Sequence, residues 1–485
     1  MQITQPNHPK ALRIFFLTEM WERYGFYVVQ TLLALFLALK FKWNDKQVYE
    51  LVGSFTALTY LSPLVGGWIA DHLFGQKRAI LAGALVLLAS YLSLSLITGD
   101  QSLTFSLAGI AVGTGLLKPN ISSLLGNEYP DGSPNRESGF TIFYMGLTSG
   151  IILGTTLPSY LNFYFGWSVA FASASIGMFI AMSIFAFGIH CYRIHDYHNY
   201  TFDYKKLIVA IFAIIALWTS AFYILNYPTM ADTVFIGVVV FAFSYLLYCI
   251  KSESPIQARQ TMIIALLCII SVMFWAFYFQ MFLSLTLFII RVVKPTLFGI
   301  QFPPPFYVGI QSAGMIGLGI LFTRRKNQLN LAHQGVRAGN KFLLAVICML
   351  IAYTIIMIAC NFSPPSGLLS PLYLIPAYLA ISLAEILLSP VGLSAVTVLA
   401  SRKKVSTMMG IFFVSLGIGG FLSGKLATLT AIPLGEFSVL ELKHTYAKGF
   451  TQLFLILLIM TLICFILNYV IKYLVRSTPN PSVSN

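Results

Sequence analysis

A short charged stretch inside an apolar run decides how this chain folds: Thr18-Glu19-Met20-Trp21-Glu22-Arg23-Tyr24-Gly25-Phe26-Tyr27. The apolar run extends from about residue 11 to residue 39. A helix of that length can cross a bilayer, because each residue advances it by about 1.5 Å. Each charged side chain at the centre of a membrane helix costs about 3 kcal/mol, so three of them need partners or water. Glu19, Glu22 and Arg23 are therefore predicted to be functional residues of a membrane helix.

The spacing of the polar residues places several of them on one face of that helix. Glu19 is followed by Arg23 and Tyr27 at intervals of four residues, and then by Gln30 after three more. This is the repeat of a single helix face. We therefore expect one face to carry an acid, a base, a phenol and an amide.

The composition of the whole chain indicates a membrane protein with many spans. Of its 485 residues, 58% are hydrophobic and only 9% are charged, an excess typical of polytopic membrane proteins. The net charge of +14 comes mainly from Lys and Arg in the tails and in alternate loops. That distribution follows the positive-inside rule, so we expect both termini in the cytoplasm and no binding of nucleic acid.

Fourteen apolar segments follow one another along the chain and predict an all-α membrane protein. Their grouping predicts three regions: a six-helix bundle at 1–192, a linker with two extra transmembrane helices at 193–258, and a second six-helix bundle at 259–485. In an architecture of two six-helix bundles with an inserted hairpin, the substrate site lies near the membrane midplane between the bundles.

The sequence shows no pattern typical of a metal centre or an enzyme. Its six cysteines are scattered without CxxC spacing, which predicts neither a zinc site nor a disulfide framework. His190, His195 and His198 lie near Asp196, but their spacing fits no common zinc pattern, and a solvated linker is the better interpretation. No nucleophile constellation is found either, so we expect no enzymatic activity, no bound metal and no cofactor.

Other segments contain isolated charges that need partners. Lys118 lies in the fourth segment, directly before Pro119. A lysine buried there requires an acid, and Glu19 and Glu22 are the obvious suppliers. Glu385 is the only acid deep in a helix of the carboxy-terminal half. Three buried acids against two buried bases leave one carboxylate without a full partner, which is a natural place for a proton.

Two other features predict structural roles. Gly146 and Gly150 form a GxxxG pair in the fifth segment, which indicates a face for close helix packing. Lys425 is predicted to lie near the end of its helix, where its long side chain can reach the membrane interface.

Taken together, these motifs resemble the proton-dependent oligopeptide transporter family, a branch of the major facilitator superfamily. The resemblance is carried by six blocks: Glu19-x-x-Glu22-Arg23 with Tyr27, Tyr60-Leu61-Ser62-Pro63, Gly115-Leu116-Leu117-Lys118-Pro119-Asn120, Phe143-Tyr144-Met145-Gly146, Phe274-Trp275-Ala276, and Glu385 with Leu388-Ser389-Pro390. It implies the major facilitator fold and proton-coupled import of di- and tripeptides or peptide-like solutes by alternating access. We accordingly expect a multi-pass protein of the cell (plasma or inner) membrane that functions as a monomer, with protons as the coupling ion.

The resemblance also implies which residues perform this function. The proton-coupling cluster would be Glu19, Glu22, Arg23 and Lys118, close to the carboxylate of the peptide, while Glu385 would face its amine. The substrate-binding positions would be Tyr27, Gln30, Tyr60, Lys118, Thr148, Trp275, Phe279, Glu385 and Phe412.

Several of these positions depart from the family pattern. When only the twelve helices of the two bundles are counted, the family has an acid on the seventh helix, and Phe279 stands at that position here. The base on the first helix that often pairs with this acid is replaced by Gln30. Asparagines that would clamp the peptide backbone appear as Thr148 and Gly314, and the usual eleventh-helix tryptophan is Phe412. Because the seventh-helix proton site is missing, the first-helix cluster is the best remaining place for proton coupling.

Two alternatives stay open at this point. Phe279 and Phe412 would suit a bulky apolar group, so the chain could be a secondary transporter of a non-peptide solute on the same fold, such as an anion, a modified amino acid or an amphiphilic drug. It could also be a sensor that binds its substrate without transporting it.

Overall fold

The computed structural model describes residues 8–97, 99–129, 135–192, 194, 196, 203–323, 334–362, 367–401 and 404–476. In chain order, these residues form the helices α1 (Leu12–Leu39), α2 (Asp45–Ile69), α3 (Gln76–Ser95), α4 (Asp100–Asn127), α5 (Arg136–Phe165), α6 (Trp167–Tyr192), α7 (Tyr204–Asn226), α8 (Pro228–Ser252), α9 (Pro255–Tyr278), α10 (Ser284–Val292), α11 (Pro304–Thr323), α12 (Gln334–Phe362), α13 (Ile375–Leu399), α14 (Val405–Ala427) and α15 (Val439–Arg476). A two-stranded antiparallel hairpin, β1 (Thr296–Leu297) and β2 (Ile300–Gln301), precedes α11.

The predicted all-α membrane fold is confirmed. Every predicted apolar segment is helical, and among the described residues only the ninth, at about 260–290, is divided into two helices, α9 and α10. Ten of the described helical segments are long and apolar enough to cross a membrane by length and composition. The helices α1, α2, α4 and α11 are not among these ten, and the first three carry charged residues within their length.

The ninth segment is broken close to a polar side chain, Gln280. Leu283 has φ −121° and ψ −103°, outside the helical region, and separates α10 from a 3-10 turn at Phe279–Phe282. The side-chain amide of Gln280 donates to the carbonyl oxygen of Ser423 at 2.8 Å, and the Ser284 hydroxyl donates to Gln280 Oε1 at 2.6 Å. Because a helix break inside a membrane frees backbone groups, such side-chain bonds stabilise it.

The chain divides into two compact units. Unit 1 comprises residues 1–36 and 58–230, and unit 2 comprises residues 37–57 and 231–485. The helices of the inserted hairpin therefore group separately, because α7 belongs to unit 1 and nearly all of α8 to unit 2. The turn between α1 and α2, with the adjoining helix ends, belongs to unit 2.

Small residues bring the helices of unit 1 close together. A Cβ atom added at Gly146 would lie 2.7 Å from the backbone oxygen of Phe16, and one at Gly150 would meet the backbone of Met20. The predicted GxxxG packing face is therefore confirmed, and it places α5 directly against the charged part of α1. On the other side of the unit, α7 is attached to α4, where the Trp218 indole donates to the carbonyl oxygen of Phe105 at 3.1 Å.

Unit 2 attaches α8 to α14 through charged and aromatic contacts. Lys425, two residues before the end of α14, lies 2.9 Å from a carboxylate oxygen of Asp232 and 3.6 Å from one of Glu50. The rings of Phe235 and Phe421 stack with their centroids 4.3 Å apart. Lys425 therefore has the helix-end position that its sequence predicts, and it links α14 to two neighbouring helices.

Candidate functional site

The charged face of α1 forms a buried cluster in which one cation serves two acids. Both guanidinium contacts of Arg23 with Glu22 are direct hydrogen bonds, made by Nε to Oε2 and by Nη2 to Oε1. Glu19 lies one turn earlier, with Oε1 3.6 Å from Nε of Arg23. All three side chains are buried. A bidentate pair is stronger than a single contact at 3.6 Å, so Arg23 interacts more strongly with Glu22 than with Glu19.

The other oxygen of Glu19 is left without a partner. Its Oε2 atom is buried and makes no hydrogen bond to any residue that the structure describes. A buried carboxylate oxygen without a donor is costly when charged and is a favourable place for a proton. The cluster can therefore store a proton on Glu19 while Glu22 and Arg23 remain paired.

Lys118 does not make the ion pair that the sequence predicts. Its ammonium nitrogen lies over the ring of Tyr60, 4.7 Å from the centroid. Among the described residues, no carboxylate lies within 4.0 Å of that nitrogen, because Glu19 and Glu22 both pair with Arg23. The cation–π contact lowers the cost of holding this charge in the membrane. Lys118 consequently remains available to an anionic group.

The remaining predicted positions of unit 1 lie on α1 and α5. Tyr27 is partly exposed on α1, and its Cβ lies near Gly154 of α5. Gln30 is buried one turn further along α1. The Thr148 hydroxyl donates to the Tyr144 carbonyl of its own helix at 3.0 Å. These positions therefore belong to one pair of helices that pack against each other.

Unit 2 contains a partly buried acid with neutral partners. Glu385 on α13 accepts hydrogen bonds at Oε2 from the Tyr278 hydroxyl at 2.9 Å and from the Gln311 side-chain amide at 2.6 Å. Within the described part of the chain, no cation forms an ion pair with Glu385. Glu385 is therefore the counterpart of Lys118: a charged group with no charged partner of its own.

Aromatic rings dominate the other predicted positions of unit 2. Trp275 stacks on Phe279 with centroids 5.4 Å apart and meets Tyr278 edge-on at 4.8 Å. Phe412 is buried on α14, and a Cβ at Gly392 would meet its ring. The indole nitrogen of Trp275 is buried and makes no hydrogen bond to the described residues. These positions of unit 2 therefore supply one carboxylate, one N–H donor without a hydrogen bond to the described residues, and large apolar surfaces.

Two polar groups of the structure were not predicted from the sequence. Gln311 is an isolated amide in an apolar helix, and that isolation is the signal that could have identified it. The second group is an ion pair in which the partly exposed Arg291 donates to the buried Asp45 through two hydrogen bonds of 2.7 Å. Arg291 also donates to the Tyr446 hydroxyl at 2.9 Å, and Asp45 accepts from the backbone N–H of Ile432 at the same distance. Asp45 and Arg291 both lie at helix ends, which made them look like ordinary loop charges.

Only His190 and Asp196 of the histidine cluster in the sequence lie among the described residues. His195 and His198 lie outside the described residues. Among the residues that are described, no group of three or more His, Cys, Asp or Glu side chains could hold a metal ion.

The sequence is similar to a known protein family and to several individual proteins. A sequence profile of the POT family matches residues 77–441. Dipeptide and tripeptide permease A of Klebsiella pneumoniae (strain 342) is 30% identical over 460 residues, covering 92% of this chain and 89% of that protein. The permease of the same name from Escherichia coli (strain K12) is 28% identical over 454 residues, with coverage of 92% and 89%.

Solved structures show the same similarity in three dimensions. The crystal structure of tetrameric PepTSo2 aligns with a TM-score of 0.83 and 25% identity, over 96% of this chain and 99% of that one. A peptide transporter POT in complex with sulfate aligns with a TM-score of 0.81 and 25% identity, over 97% of each chain. The similarity therefore extends along nearly the whole molecule.

Proposed function

The chain belongs to the POT family, and on that basis we propose that it is a proton-coupled symporter that imports di- and tripeptides or peptide-like solutes by alternating access. The relatives named above are dipeptide and tripeptide permeases. Their names support the peptide as substrate, and they do not favour the alternative of a non-peptide solute. They likewise support a transporter rather than an enzyme or a sensor.

One observation carries this proposal. Lys118 is a cation without a carboxylate partner, and Glu385 is an acid without a cationic partner, among the residues that the structure describes. A peptide is a zwitterion with a carboxylate at one end and an ammonium group at the other. Lys118 offers a partner for a carboxylate and Glu385 offers one for an ammonium group, so a peptide carries a matching charge for each of these side chains.

Proton coupling follows from the shortage of cations in the α1 cluster. When Glu22 takes up a proton, directly or by transfer from Glu19, Arg23 loses its bidentate partner and becomes free to join Lys118 at the peptide carboxylate. When the peptide leaves, the ion pairs form again and the proton is released. Phe279 cannot carry a proton, so in this chain the coupling rests on α1.

The placement in the cell follows from the charge distribution. We propose a location in the cell (plasma or inner) membrane with both termini in the cytoplasm, because Lys and Arg concentrate in the tails and alternate loops. Each chain carries both the cation and the acid that the substrate needs, so a monomer would suffice for transport. Uptake by single chains reconstituted at low density tests this point.

The proposed function is tested by uptake of labelled dialanine into proteoliposomes under an imposed pH gradient. Accumulation that unlabelled dipeptides abolish, and that an equal concentration of organic anions leaves unchanged, is the expected result. Uptake that dipeptides do not inhibit would contradict the proposal.

Removal of the free cation should weaken binding of the peptide carboxylate. Hydrogen bonds to charged groups contribute about 1.5–3 kcal/mol, so Lys118→Gln is expected to raise the KM for dialanine roughly tenfold or more. The Lys118→Gln protein should also lose the preference for dialanine over dialanine whose carboxylate is amidated. The matched control is Lys448→Gln, which removes an exposed lysine of α15 and should leave both values unchanged. A Lys118→Gln protein that still prefers the free carboxylate would assign that group to another residue.

A further inference from the structure

Both hydrogen bonds to Glu385 are made to the same carboxylate oxygen. The Tyr278 hydroxyl and the Gln311 amide each donate to Oε2, at 2.9 Å and 2.6 Å. The second oxygen, Oε1, accepts no hydrogen bond from any residue that the structure describes, and the side chain is partly exposed. A carboxylate has acceptor sites on both oxygens. One entire oxygen of Glu385 is therefore left for a ligand.

The surroundings of the two donors hold them in place. The backbone oxygen of Gln311 accepts a hydrogen bond of 2.7 Å from the Ser382 hydroxyl, which ties α11 to α13 at the level of Glu385. The ring of Tyr278 stacks on Phe274 at 5.9 Å and packs edge-on against Trp275 at 4.8 Å. Because these donors are fixed before a ligand arrives, they keep the carboxylate in one orientation at little cost in entropy.

Neither donor carries a charge. A lysine or arginine at Oε2 would neutralise Glu385 and weaken its attraction for a second cation, whereas a phenol and an amide leave the full negative charge in place. The second oxygen therefore presents an oriented and uncompensated anion. The group that fits it best is a cationic hydrogen-bond donor such as an ammonium group.

We infer that Gln311 and Tyr278 are positioning residues that reserve Oε1 of Glu385 for the amino group of the substrate. They thereby set the selectivity for substrates with a free amine over those whose amine is blocked. This inference rests on the proposed function and adds to it the residues that determine amine selectivity.

The test measures how well two competitors inhibit uptake of labelled dialanine into proteoliposomes. One competitor is unlabelled dialanine and the other is its N-acetylated form, which lacks the cationic amine. The ratio of their inhibition constants is compared in the wild-type protein and in the Tyr278→Phe and Gln311→Leu variants. We expect each variant to reduce the preference for the free amine about tenfold, with the maximal rate changed by about twofold or less.

Tyr307→Phe is the matched control. Tyr307 lies one turn before Gln311 on the same helix, and its hydroxyl is buried without a partner among the described residues. Tyr307→Phe removes a hydroxyl that makes no hydrogen bond to the described residues, so the preference for the free amine should stay at its wild-type value. Tyr278→Phe removes only one oxygen atom, so it keeps the test valid even where Gln311→Leu disturbs folding.

The outcomes separate this inference from the proposed function. Equal weakening of both competitors in Tyr278→Phe would indicate a merely structural role and would overturn the inference alone. Failure of the wild-type protein to take up dialanine would overturn the proposed function and this inference with it.

Discussion

Glu22→Gln should abolish the accumulation of peptide against a gradient while leaving the exchange of peptide across the membrane intact. Glutamine keeps the shape of the side chain but can neither carry a proton nor form the ion pair with Arg23. Arg23 then no longer alternates between its acidic partner and the substrate. Binding and conformational exchange do not need that alternation, so they should persist.

The expected effect on accumulation is large. A charge crossing the membrane gains about 2.3 kcal/mol per 100 mV, so a proton-motive force of about 150 mV supplies about 3.5 kcal/mol per proton. Each 1.4 kcal/mol is a factor of ten, so one coupled proton supports a gradient of roughly 300-fold. In the Glu22→Gln protein the ratio of internal to external peptide should fall to about one, which is the value for uncoupled equilibration.

The control for this experiment is Glu441→Gln. Glu441 is an exposed acid in the first turn of α15, bonded only to Ser438 in the described structure. Glu441→Gln makes the same chemical change outside the α1 cluster, so this variant should accumulate peptide as well as the wild-type protein does. A Glu22→Gln protein that still concentrates peptide would show that the coupling proton is carried elsewhere.

Arg291→Met is expected to destabilise unit 2 strongly. It leaves the carboxylate of Asp45 buried without its cation, and breaking a buried ion pair in this way costs about 3–5 kcal/mol. The Tyr446 hydroxyl would lose its partner as well. Thermal unfolding in detergent, followed with a thiol-reactive dye, measures the effect, because five of the six cysteines are buried and react only on unfolding.

A double variant distinguishes the ion pair from its individual residues. Asp45→Leu combined with Arg291→Met removes both charges and should cost less stability than Arg291→Met alone, since no buried charge remains unpaired. Arg13→Met removes an exposed arginine of α1 and serves as the control. An Arg291→Met protein that unfolds at the temperature of this control would show that the pair contributes nothing to stability.

The sequence predicted the fold well because membrane helices are read directly from apolar runs. Each predicted segment is helical, and Gly146 and Gly150 form the packing face that their spacing indicates. The approach of Glu19 to Arg23 is also local, since one turn of the same helix separates them, whereas the pairing of the adjacent Glu22 with Arg23 was not predicted. Interactions between near neighbours on a helix follow from the helical repeat alone.

Interactions between distant segments could not be predicted in the same way. Lys118 was expected to pair with an acid, yet the neighbouring Tyr60 ring supplies the contact, because Arg23 already occupies both glutamates. The bonds of Gln311 to Glu385 and of Arg291 to Asp45 join residues 74 and 246 positions apart. Nothing in the local pattern of either residue indicates its partner. The break in the ninth segment could not be predicted for the same reason, since Gln280 stabilises it through a distant backbone oxygen of Ser423.

The coupling of proton and peptide movement through the α1 cluster is tested most directly by peptide-induced proton influx. Proteoliposomes containing a pH-sensitive dye are given dialanine under an imposed membrane voltage, with no initial pH difference. We expect internal acidification that starts with the addition of peptide in the wild-type protein and is absent in Glu22→Gln. Peptide entry without acidification in the wild-type protein, or equal acidification in both proteins, would contradict this expectation.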